Sequence, residues 1–513
     1  MEKKNSKNST VAIGVLLFVL EIIFLTMSFS LWWATNNYGN IGLDEIIFQL
    51  SMPLAGTATH IFKSYAKSLI PIPIIILCQQ ILCLIIYLIC KMSKTISKIS
   101  SGIKHVARKL SLIIFGVWLI VLLLIVDKEF ELFEWAHAKI TESTFMAEQY
   151  VDTKKVDIEF PDEKRNLICI FVESAETTNQ DVSNGGIFDE NYIIEMTDLA
   201  KNNVSFSQSD LIEGASVSPA SGWTIAALVS ETAGVPLKLL NYDDAYYDNS
   251  MGKYEYFLPG ATTLGDILEK EGYKNYFMAG SNFKFGGRTN YFQSHGNYEI
   301  FDYYTAINEG KIDKDYKVWW GFEDQKLYSY AQEKILELAE YDQPFNFSMI
   351  TVDTHHENGY KCNICEDLYD NQYANVWRCA SKQLNAFVRW IQEQDFYEKT
   401  TVVIVGDHCS MDSDFYDDLE YDKHHGTTER KVYNCFINSA IDPINEKNRK
   451  FTTLDIFPTI LASIGATIDG DRLGLGTNLF SDKETLAEEY GYDELFEELD
   501  RKSSFYNHKL LYP

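Results

Sequence analysis

Near the N-terminus, apolar residues run on without a polar face, whereas farther along they come in short bursts bounded by polar residues. The first run, 11–33 (VAIGVLLFVLEIIFLTMSFSLWW), is broken only by Glu21 and is long enough to cross a bilayer as a helix. The runs at 68–90 (SLIPIPIIILCQQILCLIIYLIC) and 110–126 (LSLIIFGVWLIVLLLIV) make three expected spans. Lys3, Lys4 and Lys7 precede the first, and Lys91, Lys94, Lys98, Lys104, Arg108 and Lys109 fill the acid-free link between the second and third. Both basic regions are expected on the cytoplasmic side, which puts everything after residue 127 outside a multi-pass plasma-membrane anchor. In the loop between spans one and two, Lys63 and Lys67 are a weaker opposing signal, balanced by Asp44 and Glu45. The apolar but short segment 41–56 in that loop reads as an interfacial or re-entrant helix, or as a helix packed against the spans.

Beyond the anchor the pattern changes. Residues 128–160 are mixed and charged, with apolar spacing that predicts linking helices, until FPDEKRN at 160–166 breaks the chain. LICIFVES (167–174), FNFSMITVDTHH (345–356) and TTVVIVGDHCS (400–410) then read as buried strands that end in polar residues. Helical periodicity falls between them at 261–273, 324–341 and 376–394. This alternation predicts an α/β fold with a largely parallel sheet flanked by helices on both faces. The expected organisation is a membrane domain (1–127), a helical linker (128–160), an outer domain (161–485) and a peripheral C-terminal extension (486–513).

Charge sharpens this division. The chain of 513 residues has a net charge of −28, but residues 1–127 carry +6 and the remainder −34. That balance excludes a nucleic-acid-binding surface spread over the whole chain. Aromatic residues at 14% exclude wholesale disorder.

In a parallel sheet, polar residues at the carboxyl ends of strands converge in one crevice. Here those ends carry Glu173, then Asp353, His355 and His356, then Asp407 and His408. Carboxylate and imidazole ligands together suit Mn, Mg or Zn. A cation there can activate a hydroxyl as nucleophile. SVSPASGWTIAALVSETAG (216–234) supplies Thr224 at the expected start of a helix, with Ser216, Ser218 and Ser221 as competitors. A helix N-terminus at Thr224 would also favour a phosphate group.

In their order along the chain, FVES (171–174), SGWTIAALV (221–229), NFKFGGR (282–288), THH (354–356) and VGDH (405–408) resemble the membrane-bound phosphoglycerol transferases. These include lipoteichoic acid synthases and glucan-modifying enzymes, within the alkaline phosphatase and sulfatase superfamily. The resemblance implies Glu173, Asp407 and His408 as ligands of one divalent metal, Mn first and Mg or Zn as alternatives. It implies Thr224 as the metal-bound nucleophile that becomes phosphoglycerylated, and His355 as a histidine near the leaving or attacking oxygen. Arg288 would hold the phosphoryl group, with Trp223 and His356 also on the substrate side and His295, His424 and His425 lining the acceptor side. Ala279 and Gly286 stand where the lipoteichoic acid synthases carry a His and a Trp, and SGWT and FKFGG look more like the glucan-modifying branch. The implied reaction moves glycerol phosphate from phosphatidylglycerol to an extracytoplasmic glycan, with the bilayer as partner. Alternatives are a glycerol phosphate polymerase, a phosphoethanolamine transferase and a non-enzymatic, glycan-binding scaffold. SVSPAS lacks the Arg of the C/S-x-P-x-R pattern of sulfatase nucleophiles.

Among nine cysteines, Cys362, Cys365 and Cys379 fall in the outer domain, where disulfides are permitted. One bridge is expected there, within CNIC or to Cys379.

Overall fold

The computed structural model describes residues 2–38, 42–51, 59–92, 117, 120–238, 257–416 and 430–511. The chain divides into two compact units, one of residues 1–41 and 58–134, the other of 42–57 and 135–513.

The first unit is helical. Among the described residues, two stretches, Phe18–Tyr38 and Ile61–Ile81, are long and apolar enough to cross a membrane. The first lies in the Glu2–Tyr38 helix; the second runs through Thr59–Ser68 into Pro71–Met92, with a turn at Leu69 and Ile70. The turn falls where Pro71 disfavours helix in the residue before it. Polar contacts join these helices: Trp33 Nε1 donates to Ser64 Oγ at 2.9 Å, and Ser30 Oγ lies 2.8 Å from the Tyr65 hydroxyl. Most of the expected third span, 110–126, lies outside the described residues; 120–130 are helical.

The second unit is built on a six-stranded sheet. Its strands are β1 (Asn166–Val172), β2 (Lys274–Ala279), β3 (Glu299–Phe301), β4 (Phe345–Ile350), β5 (Thr400–Gly406) and β6 (Asn434–Ile437), in the order β3-β2-β4-β1-β5-β6. All pairings are parallel except β5 with β6. The alternation along β1 shows why it is apolar throughout. Leu167, Cys169 and Phe171 enter one core, with helices Thr224–Ala233, Leu264–Lys270 and Ile456–Ser463. Ile168, Ile170 and Val172 enter the other, with Ile194–Asn202, Asp324–Ala339 and Gln372–Gln392. Burial on both faces is what a parallel sheet covered by helices requires.

Two segments depart from expectation. The 41–56 region contributes a helix, Leu43–Ser51, whose Phe48 is fully buried in the first core rather than at a membrane interface. Asp44 fixes that helix by accepting from Trp135 Nε1 at 2.9 Å and pairing with Lys139 at 2.7 Å. The C-terminal region is not peripheral: Leu495, Leu499, Tyr506 and Leu510 are buried in the same core, and the Tyr506 hydroxyl donates to the Pro236 carbonyl at 2.9 Å.

Candidate active site

The site grows from adjacent strand ends. Register pairs Phe171 of β1 with Ile350 of β4 and Val405 of β5, so all three strands end at one level. Glu173, the Thr351–His356 turn and Asp407 with His408 follow directly. Gly406 is required by close approach: a Cβ there would lie 1.9 Å from the Ala175 carbonyl oxygen. β2, on the other side of β4, leads into the segment that carries Arg288.

Glu173, Asp407 and His408 are brought together, all buried, each offering a ligand atom within 4.8 Å of the others. His408 Nδ1 faces the Cys409 carbonyl at 2.9 Å. A carbonyl can only accept, so in the neutral ring Nδ1 carries the proton and the Nε2 lone pair faces the site. Nε2 lies 3.4 Å from Glu173 Oε1, 3.4 Å from Asp407 Oδ2 and 3.5 Å from Thr224 Oγ1. Ligands about 2.1 Å from one tetrahedral ion would be separated by about this much. Asp407 Oδ1 is satisfied by the backbone N–H groups of Ser174 (2.8 Å) and His408 (2.9 Å), whereas the buried Oδ2 has no hydrogen-bond partner. Burial and the Glu173 charge push Asp407 up to about 7. Burial opposes a charge on His408, but Asp407 and Glu173 outweigh it and raise the imidazole to about 9. An orphaned carboxylate oxygen and crowded acids are what a divalent cation relieves, and the donor set fits one.

Thr224 opens the Thr224–Ala233 helix, and Trp223 at its N-cap makes no side-chain capping bond. The first N–H groups of that helix therefore lack a side-chain acceptor, as an anion site needs. Among the four candidate hydroxyls, Thr224 is the one that meets the His408 ring. Ser216 Oγ accepts from Gln208, and Ser218 and Ser221 bond each other at 2.8 Å.

Arg288 follows two glycines, Gly286 (φ 66°) and Gly287 (φ 76°), whose left-handed conformation other residues adopt at a cost. Its guanidinium is buried and donates to the carbonyls of Phe285 (3.1 Å) and Asn282 (2.9 Å) and to Ser281 Oγ (3.1 Å). Burial lowers it to about 10, against the pull of Glu173, Asp302 and Asp407, so it remains a cation at neutral pH. His355 packs 4.7 Å from the rings of both Trp320 and His356. Its Nδ1 faces the His356 carbonyl at 2.7 Å, leaving the Nε2 lone pair unspent, and burial lowers it to about 4.

Not every expected residue joins this group. His295 spends Nδ1 on Asp266 (2.9 Å) and Nε2 on the Phe257 carbonyl (2.7 Å). Asp266 is itself part of the capping box of helix Leu264–Lys270, so His295 braces a helix end. Asp353 is buried beside Asp324 and its oxygens have no hydrogen-bond partner; burial and Asp324 push it well above the ordinary carboxylate range. His424 and His425 lie outside the described residues.

Three further buried acids lie outside the residues expected at the site. Glu176 holds Arg430 (Nε to Oε2, 2.7 Å) and accepts from the Ser410 N–H at 2.7 Å, bracing the loop after His408. Glu231, two turns beyond Thr224, has both oxygens buried without a partner, and burial with Asp407 raises it well above its ordinary value. Glu45 is raised to about 8 by burial, with His408 pulling the other way. Its signal was an acid inside the apolar segment IGLDEIIFQL; the other two had none.

Known proteins resemble this chain over the same domain. The chain is 29% identical over 328 residues to phosphoglycerol transferase I of Xanthomonas campestris pv. campestris (strain B100), covering 62% of this chain and 43% of that protein. Phosphoglycerol transferase I of Escherichia coli (strain 55989 / EAEC) is 30% identical over 266 residues, covering 49% and 32%. The chain thus spans less than half the length of these relatives. Among solved structures, the lipoteichoic acid synthase LtaP from Listeria monocytogenes aligns with a TM-score of 0.46 at 19% identity, covering 66% of this chain and 82% of that one. The family described as Sulfatase matches residues 165–466. The chain therefore belongs to the sulfatase family and carries a catalytic domain with a buried Glu173–Asp407–His408 triad suited to a divalent metal.

Proposed function

We propose that this protein transfers glycerol phosphate from phosphatidylglycerol to an extracytoplasmic glycan through a phosphoglyceryl intermediate on Thr224. The observation that carries this reading is the placement of Thr224 Oγ1, 3.5 Å from His408 Nε2 at an uncapped helix N-terminus. Glu173, Asp407, His408 and Thr224 would hold one divalent cation, manganese first. When bound, it would neutralise phosphate charge and favour ionisation of the threonine hydroxyl.

In the first half-reaction the bond from Thr224 Oγ1 to phosphorus forms and the bond from phosphorus to the diacylglycerol oxygen breaks. The threonine proton is transferred to that leaving oxygen. In the second, an acceptor hydroxyl displaces Thr224, which recovers a proton. Nε2 of neutral His355 is suited to relay protons at the leaving and attacking oxygens. Arg288 supplies a fixed cation toward the phosphoryl oxygens. The Thr224 helix N-terminus adds N–H groups on the same charge. Trp223 and His356 border the substrate.

The anchor would keep this domain beside its lipid donor on the outer side of the plasma membrane. The division proposed is an anchor (1–127), a linker (128–160), a catalytic domain (161–485) and a C-terminal segment (486–513). Incubation with headgroup-labelled phosphatidylglycerol and cell-surface glycans tests the reading. Label should reach the glycan with wild type and not with Thr224→Ala; transfer only from phosphatidylethanolamine would replace the donor assignment.

A further inference from the structure

Away from the Glu173–Asp407–His408 group, the second unit gathers Cys362, Cys365 and Cys379 at one point. Cys362 Sγ lies 3.4 Å from Cys365 Sγ and 3.8 Å from Cys379 Sγ, and all three thiols are free. Three thiolates about 2.3 Å from a tetrahedral zinc ion would be about 3.8 Å apart. The C-x-x-C turn presents two sulfurs, and the helix Gln372–Gln392 presents the third.

The surroundings are donors aimed at sulfur. Gln383, one turn after Cys379, directs Nε2 at Cys379 Sγ (3.4 Å) and Cys362 Sγ (3.9 Å). A thiol is a weak acceptor, and an amide N–H shared between two sulfurs suits thiolates. Cys362 and Cys379 are buried, while Cys365 is half-exposed, so solvent reaches the cluster from that side.

We propose that Cys362, Cys365 and Cys379 form a structural site for one thiophilic divalent cation, zinc in the first instance, with water completing the shell. Binding forms three metal–sulfur bonds and releases three thiol protons, with no change of oxidation state. The site ties the loop carrying His355 and Cys362 to the Gln372–Gln392 helix. It replaces the disulfide expected from sequence and is independent of the catalytic reading.

The test uses the full chain, purified in detergent with a phosphine reductant, stripped of metal and titrated with cobalt(II). A thiolate-to-cobalt charge-transfer band saturating at one equivalent is expected in wild type and in Asp407→Asn. Cys379→Ser and Cys365→Ser should lose it, and zinc(II) should displace it. In the folded wild type, zinc should slow alkylation of these three thiols at least tenfold. Absence of the band in wild type would overturn the proposal. So would non-reducing peptide mapping that finds Cys362 joined to Cys365 or Cys379 in protein taken directly from membranes.

Discussion

Phe48 and Trp223 pack ring against ring, with centroids 5.4 Å apart and planes inclined by 44°. Phe48 belongs to the segment between the first two membrane-length stretches, yet it is buried in the core of the catalytic unit. Trp223 is the N-cap residue of the helix that begins with Thr224. A loop of the anchor in sequence thus supports the start of the Thr224–Ala233 helix in space.

Phe48→Ala should therefore cost about 3–5 kcal/mol of stability and lower turnover as the N-cap loosens. Phe48→Leu, which fills most of the volume, should recover the larger part of both. Thermal unfolding and turnover of detergent-solubilised protein check this. Unchanged melting and activity in Phe48→Ala would show that the ring contact supports nothing.

The hydroxyls divide cleanly. Thr224→Ala should reduce transfer about 10³-fold or more, as loss of a nucleophile does. Thr224→Ser should keep measurable activity, because the oxygen remains. Ser221→Ala removes a hydroxyl bonded to Ser218 rather than to His408, and its turnover should stay within about threefold of wild type. Rate measurements on all three variants distinguish the assignment.

The acids at the metal site make stability depend on pH with a definite sign. Asp407 is raised to about 7 and His408 to about 9. Each group, raised above its unfolded value, contributes stability that is complete below that unfolded value and lost as pH rises through the folded one. Chelated protein should thus lose stability from about pH 4 to 7 through Asp407 and from about pH 6.5 to 9 through His408. Cation binding favours the deprotonated ligands, so the gain in melting temperature on adding manganese should grow between pH 6 and pH 9. Asp407→Asn should abolish that gain. Melting curves with and without chelator, across pH, are the measurement.

His355 is lowered to about 4, chiefly by burial. Its neutral ring contributes stability above pH 6.5 that is lost as pH falls toward 4. His355→Gln should flatten that acid limb and slow turnover about 10²–10⁴-fold. If His355 serves the attacking oxygen, single-turnover experiments should show the Thr224 adduct persisting longer in the variant.

Much of this site is legible in the sequence because strand physics puts it there. β1, β4 and β5 announce themselves as short apolar runs, and the polar residues at their ends must meet once the strands lie side by side. That rule offers Glu173, Asp353, His355, His356, Asp407 and His408 together; the family resemblance is what selects Glu173, Asp407 and His408 among them, and Thr224 over Ser216, Ser218 and Ser221. His295 could not be told apart, because a ring bonded by Asp266 and a distant carbonyl has the same letter as a substrate-side one. Glu231 was hidden for the opposite reason: a buried acid in a helix interior has no periodicity of its own. Phe48 was misplaced because a nine-residue amphipathic helix looks alike whether its apolar face meets lipid or a protein core. The three cysteines were legible as a group, but only their spacing in space separates thiols gathered round a point from a bridged pair.

The central claim concerns what becomes attached to Thr224. Intact-protein and peptide mass spectrometry after incubation with phosphatidylglycerol and manganese, with acceptor withheld, reads this directly. The account predicts one added glycerol phosphate, located on Thr224, absent in Thr224→Ala and discharged when acceptor glycan is supplied. An ethanolamine phosphate adduct, a glycerol phosphate on another residue, or full turnover with no adduct under rapid quenching would contradict it.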